Sequence, residues 1–310
     1  MLVFILMRIL ISGGSGYIGS VLVPLLLSQG HQVRVLDNFL YGNQTSLASL
    51  CHNPDFDIHR VDCRDHAEVS KHLHWPDVVI PLAALVGVPL CDLNPIDAEL
   101  INLRAPLNIF KSLSNDQLII MPTTESSYGK NESVCTEETP LNPLSTYALH
   151  KVEVESALLE RDNAVSLRLA TVFGMSPRMR LDLLINDFVW RALKDRAFVV
   201  FEGKYNRTCV HVSDVSRAFN HALDKDLRGV YNIGAVTISK LSLCEAIKVF
   251  IPEFTYVEAD YLSDSDQRDY IVSDDKIRAT GYVPRVTLPI GITELLKGYR
   301  MLTNNVHGNV

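Results

Sequence analysis

The chain has 310 residues, 47 % of them hydrophobic and 8 % aromatic, with a formal charge of -7 at pH 7. That length and apolar content bury one large core and a smaller second one, and the acidic balance excludes a protein held to nucleic acid by phosphate contacts, which needs a basic face. The six cysteines (Cys51, Cys63, Cys91, Cys135, Cys209 and Cys244) include no C-x-x-C pair, so no zinc site or disulfide framework is expected, no metal is assigned, and a reducing cytoplasm fits best.

The opening Met1 to Leu6 is apolar, but it has neither a basic n-region nor a small-residue cleavage site and runs straight into a strand. Met7 is therefore an alternative start to Met1, and no later stretch reaches the roughly 20 apolar residues of a membrane span, so no membrane is expected as a partner. The first predicted strand, 8 to 12, ends in Gly13-Gly14-Ser15-Gly16-Tyr17-Ile18-Gly19 and a helix follows, the layout of a dinucleotide pyrophosphate site. Gly13 permits the tight turn, Gly16 lets phosphate approach the backbone amides, and Gly19 lets the helix lie against the sheet. The second strand, 32 to 37, ends at Asp37, where an acid reaches the adenosine ribose hydroxyls. Asn38 follows, and no Arg stands there to receive a 2′-phosphate, so the expected cofactor is NAD and not NADP.

Further strands are predicted at 57 to 62, 77 to 84, 117 to 124 and 164 to 170, with amphipathic helices between most of them. This alternation specifies an α/β, doubly wound parallel sheet of the Rossmann type, its central strands buried on both faces at Val78-Val79-Ile80 and Leu118-Ile119-Ile120-Met121. We place an NAD-binding domain at 1–174 and a smaller, interleaved α/β substrate domain at 175–310, with helices near 181 to 195, 213 to 224, 241 to 250 and 289 to 302. Segments near 207–235 return to the first domain, because Val210-His211-Val212 and Tyr231-Asn232-Ile233 are strand-like. His211 is read as a packed strand residue, and Thr303 to Val310 as a frayed end.

Ser145 is placed to cap a helix running to about Arg161, and the i,i+4 spacing puts Tyr147 and Lys151 on one face of it. A phenol with an ordinary pKa of about 10 is a poor base at neutral pH, but a neighbouring ammonium and an oxidised nicotinamide favour the phenolate, which then takes a proton from a sugar hydroxyl. Such a pair also arises by chance on a surface helix. Its setting argues otherwise: Thr123 and Thr124 end the strand 117 to 124, whose C-terminal end faces the ligand crevice, although strand-end hydroxyls also serve as plain caps.

Taken together, G-x-x-G-x-x-G, the Asp after strand two, Thr124-x-x-x-Tyr128-Gly129 and Tyr147-x-x-x-Lys151 resemble the extended short-chain dehydrogenase/reductases, among them the UDP-galactose 4-epimerases and the nucleotide-sugar 4,6-dehydratases. The resemblance covers nearly the whole chain. It implies Thr124, Tyr147 and Lys151 as the catalytic triad, and a cofactor site that includes Tyr17, Ile18 and Asn38, with Asp62 at the adenine and Leu82-Ala83-Ala84 along the cofactor. Where dehydratases carry Asp-Glu after the catalytic Thr, this chain has Glu125-Ser126, so Glu125 is the candidate acid for a dehydratase. Thr171 replaces the Asn with which many epimerases hold the substrate diphosphate.

Residues 84 to 91 and the run Ser176-Pro177-Arg178-Met179-Arg180-Leu181-Asp182 resemble a subgroup that includes a GDP-heptose 4-dehydrogenase and oxidises C4 with tightly held NAD. Arg178, Arg180, Arg207 and Arg268 are the candidate cations for substrate phosphates, arginine being suited to bidentate contact; by resemblance Arg207 and Arg268 come first. The resulting expectation is an NAD-dependent 4-epimerase or 4-dehydrogenase of a nucleotide-diphosphate sugar, with a 4,6-dehydratase using Glu125 as the alternative. A non-catalytic dinucleotide sensor is the rival from another class, and it has no need of Thr124, Tyr147 and Lys151 together. Extended members pair through two helices per subunit, here 98 to 113 and 145 to 161, so a homodimer is expected, although Leu100, Leu103, Leu107 and Ile109 can equally pack on their own sheet.

Overall fold

The computed structural model describes residues 6–259 and 269–302. Its strands are β1 (Arg8–Ser12), β2 (Gln32–Asp37), β3 (Phe56–Arg60), β4 (Val78–Pro81), β5 (Leu118–Thr124), β6 (Lys130–Cys135), β7 (Ala164–Leu169), β8 (Thr171–Phe173), β9 (Ala197–Phe201), β10 (Asn206–His211), β11 (Gly229–Ile233), β12 (Val236–Ser239), β13 (Thr255–Ala259) and β14 (Asp269–Val272). Seven of them form the central sheet in the order β3-β2-β1-β4-β5-β7-β11. Every neighbouring pair in it is parallel.

The period-2 alternation of these strands separates two apolar layers. Ile9, Ile11, Val33, Val35, Val78, Ile80, Ile120 and Val165 pack on one face, and Leu10, Leu36, Val79, Ile119, Met121 and Ala164 on the other. β4 and β5 are buried along their whole lengths. The strand order reverses between β1 and β4, which opens a crevice at their C-terminal ends, where ligands of open α/β sheets bind.

Strand ends differ from the sequence expectation at two places that matter. β4 stops at Pro81, which has no N–H to donate to the ladder. After a last bond from Leu82 N to Ser12 O (2.8 Å), Leu82 to Ala84 peel away into the crevice. β3 stops at Arg60, so Asp62 lies on the loop beyond it.

The predicted helix 98 to 113 is composite. An α-turn at Pro95–Glu99 passes through a π segment at Leu100–Arg104 into Ala105–Ser112, with Pro106 unable to donate an ordinary helical bond. The tail of the chain sends β11 back to the edge of the central sheet, next to β7. β10 instead joins a separate three-stranded sheet, β12-β10-β8, so Val210 and His211 belong to the smaller lobe's sheet. The pairs β13-β9 and β14-β6 complete the topology.

Candidate active site

A cavity of about 910 Å³ opens at the switch point of the sheet and extends to residues of β8, β9 and β10. Its floor on one side is the glycine turn. Gly13 donates to Leu36 O at 2.7 Å and has φ +72, and a Cβ on it would stand 2.5 Å from Ala83 N, so only glycine fits. A Cβ on Gly19 would lie 2.3 Å from Gly14 O, which is how closely the following helix Gly19–Ser28 meets the turn. Among the described residues no acceptor meets the amides of Tyr17 and Ile18 at the start of this helix, and such amides suit a phosphate.

Asp37 lies buried at the end of β2, accepting from Ser15 N (3.0 Å) and Phe39 N (2.8 Å). Burial pushes its carboxyl above the usual range, against the pull of those two amides. Gly16, Tyr17, Ile18, Asn38, Leu82, Ala83 and Ala84 all line this half of the cavity. The turn, the unmet amides and the carboxylate together fit a dinucleotide. Asp62 lies beside this half of the cavity, on the loop after β3. Val61 and Cys63 line the cavity, whereas the Asp62 carboxylate turns to Arg64 Nη2 (2.7 Å) and Asn38 Nδ2 (3.0 Å). The Arg64 hydrogen bond holds that carboxyl at about 2.

On the opposite wall, Ser145 caps the helix Thr146–Leu158 by accepting from Ala148 N at 3.2 Å. This sets Tyr147 and Lys151 toward the cavity, with Lys151 Nζ 6.0 Å from the Tyr147 ring centroid. Lys151 is buried and donates to Pro122 O at 3.2 Å; burial pulls its ammonium down to about 8. Thr124 ends β5, and its hydroxyl accepts from Ser126 N (3.1 Å) and donates to Ser126 Oγ (2.9 Å). Thr123 turns its hydroxyl to Glu155 Oε2 (3.0 Å) and Ser166 Oγ (2.8 Å), within a buried network anchored by the Arg168–Glu155 pair at 2.6 Å.

Glu125, the candidate dehydratase acid, is set apart from the cavity lining. Thr124 and Ser126 line the cavity and Glu125 does not. Its side chain is fully buried on the side of Gly234, where a Cβ would come within 3.6 Å of Oε1. Glu125 opens the 3-10 turn Glu125–Tyr128, which Thr124 caps, so its side chain leaves the chain beyond the end of β5.

The smaller lobe contributes Thr171 from β8 and Arg207 from β10, together with Lys240, whose Nζ donates to Phe201 O at 3.1 Å. The helix Leu184–Lys194 adds Asp187, which burial raises to about 6, and Arg191 at 3.5 Å from it. Arg180 is paired with Asp182 at 2.5 Å. Arg178 also lines the cavity, and its guanidinium carbon stands 4.5 Å from the ring centroid of Tyr41, on the loop that follows Asp37. Arg268 lies outside the described residues. Tyr41, Asp187, Arg191, Lys240 and Tyr270 line the cavity and were not singled out from sequence; they follow no motif, and only the fold brings them together.

A seven-stranded Rossmann sheet, its glycine turn and a tyrosine–lysine helix facing a strand-end threonine define the class of extended short-chain dehydrogenase/reductases. Comparison with known proteins agrees: residues 9–234 match the model of the NAD dependent epimerase/dehydratase family, and the chain belongs to that family. It is 28 % identical over 306 residues to a putative UDP-glucose 4-epimerase of Methanocaldococcus jannaschii, covering 93 % of this chain and 97 % of that one. It is 26 % identical over 310 residues to UDP-glucuronic acid decarboxylase 1 of Arabidopsis thaliana, covering 95 % and 70 %. Among solved structures, the Thermus thermophilus UDP-glucose 4-epimerase in complex with NAD superposes with a TM-score of 0.82 at 26 % identity, over 95 % of this chain and 99 % of that one. The cofactor of the family is NAD, and its members are nucleotide-sugar epimerases, dehydratases and decarboxylases.

Proposed function

We propose that this protein oxidises C4 of a nucleotide-diphosphate sugar, as a 4-epimerase or a 4-dehydrogenase. The observation that carries this reading is the convergence of Thr124, Tyr147 and Lys151 on one cavity with the glycine turn and Asp37. Tyr147 takes the proton of the C4 hydroxyl, and Thr124 orients that hydroxyl. Lys151, held by Pro122 O, supplies the positive charge that favours the phenolate. NAD, which the glycine turn and Asp37 would hold, would supply the two-electron acceptor for the C4 hydride. Thr171, Arg207 and Lys240 hold the nucleotide diphosphate from the smaller lobe.

The fate of the keto sugar separates the two activities. Return of the hydride to the other face gives the epimer, and transfer to a second oxidant gives a net dehydrogenase. Elimination assisted by Glu125 is not supported, since its carboxylate lies off the cavity. The deciding experiment identifies the nicotinamide released on denaturing the purified protein, then follows its redox state by absorbance as UDP-, GDP- and dTDP-sugars are added. NADH that persists until a keto acceptor is supplied marks a dehydrogenase, and sugar conversion without net reduction marks an epimerase. Absence of nicotinamide with no response to any sugar would favour a sensor and sink the proposal.

The same reading includes a homodimer. Leu93 (72 % exposed) and Ile96 (75 %) stand on the short helices before the π segment, and Leu149 is exposed on the helix that carries Tyr147. They supply the apolar face for a helix pairing between two copies, whereas Leu103 and Ile109 pack on their own sheet.

A further inference from the structure

We infer that Arg178 and Tyr41 form a clasp over the pyrophosphate and adenosine-ribose portion of NAD, and that this clasp sets how slowly the dinucleotide leaves the protein. The inference rests on reading the cavity as an NAD site.

The two halves of the clasp come from different parts of the fold. Arg178 belongs to the segment that follows β8, and that segment is fixed to the glycine-turn helix. Tyr17 OH donates to Gly174 O at 2.7 Å, Ser176 Oγ donates to Tyr17 O at 2.7 Å, and Ser20 Oγ and Ser176 Oγ share a bond of 2.8 Å. Asn186 Nδ2 ties the far end by donating to Arg180 O at 2.9 Å. Tyr41 stands on the loop after Asp37 and is 37 % exposed. Its ring centroid lies 4.5 Å from the Arg178 guanidinium carbon, and both side chains line the cavity beside Gly16, Asp37 and Asn43. A bridge is thereby made from the helix side of the crevice to the ribose side, across the path by which a dinucleotide would leave.

The chemistry of Arg178 suits an anion beneath it. A guanidinium carries its N–H donors as a planar fork, the arrangement that recognises phosphate oxygens, and its charge is attracted to an aromatic face. Nη1 donates to Met179 O at 3.1 Å, which fixes that plane. The side chain is buried, and burial, helped by the neighbouring Arg180, works against its charge; Asp37 and Asp182 act in the opposite sense.

The test measures cofactor release and needs no turnover. Holoprotein would be purified as wild type, Arg178→Ala, Tyr41→Ala and Tyr41→Phe, and the NAD still bound would be quantified over time after desalting. The expected result is release at least tenfold faster for Arg178→Ala, severalfold faster for Tyr41→Ala, and unchanged for Tyr41→Phe, which keeps the ring. Tyr41 sits on an exposed loop, so Tyr41→Ala keeps its melting temperature and tests the clasp even if Arg178→Ala folds poorly. Wild-type release rates in Tyr41→Ala, or weakened sugar binding with unaltered NAD release in Arg178→Ala, would overturn the clasp while leaving the cofactor site standing. A wild-type protein with no affinity for NAD would overturn both.

Discussion

Two side chains on one helix separate chemistry from stability. Tyr147→Phe removes the proton acceptor and little volume, so turnover should fall by roughly 10²- to 10⁴-fold while the NAD content of the purified protein stays as in wild type; unchanged turnover would end the proposed mechanism. Lys151 behaves differently, because burial holds its ammonium at about 8 against an ordinary 10.5. In the unfolded chain it stays protonated up to the higher value, so the folded state binds fewer protons between the two and stability rises with pH across that window. Below about 8 the burial cost is present in full. Lys151→Met should therefore abolish activity yet stabilise the cofactor-free protein at pH 7, by on the order of 1–3 kcal/mol, with the gain shrinking as pH rises past 8 toward 10.5. Thermal melts across that range check the sign. Tyr147 and Lys151 were legible in sequence because a capped helix makes an i,i+4 pair share a face. The place of Glu125 was not legible, because the sequence does not announce the 3-10 turn Glu125–Tyr128 that begins where β5 ends.

At the level of elements, the tightest junction is the glycine turn against the helix Gly19–Ser28. A methyl on Gly19 would press on Gly14 O at 2.3 Å, a backbone atom with no rotamer to yield. Gly19→Ala should push the helix from the sheet, cost about 1–3 kcal/mol and weaken NAD retention. A denaturant melt and the NAD content of the variant report the two effects separately. The strands of the central sheet were readable because two-sided burial writes continuous apolar runs such as Val78-Val79-Ile80. The short pairs β13-β9 and β14-β6 were not, since each joins segments far apart in the chain and the burial along β13 and β6 is mostly partial or absent. For the same reason Asp187 and Lys240 escaped notice: nothing local marks a residue that reaches the cavity only after the smaller lobe has packed.

For the molecule as a whole, the exposed apolar side chains before the π segment and on the Tyr147 helix predict association. Ile96→Glu combined with Leu149→Glu puts charge on that face without touching either core layer. It should convert a dimer into a monomer by sedimentation or light scattering, with the fold retained by circular dichroism; a wild-type protein that is already monomeric would refute the pairing. The doubly wound architecture was expected from the strand–helix rhythm. The return of β11 to the central sheet, beside β7, shows only in the pairings.

That last pairing bears on how the protein is made. β7, which carries Arg168 of the buried network, has its second neighbour only once the chain has emerged as far as Ile233, well after β8, β9 and β10. During synthesis the dinucleotide lobe thus waits, with one edge of its sheet open, for a segment encoded beyond much of the other lobe. The central sheet is thus closed by a strand that comes off the ribosome late, while β12, β13 and β14 are still to follow it.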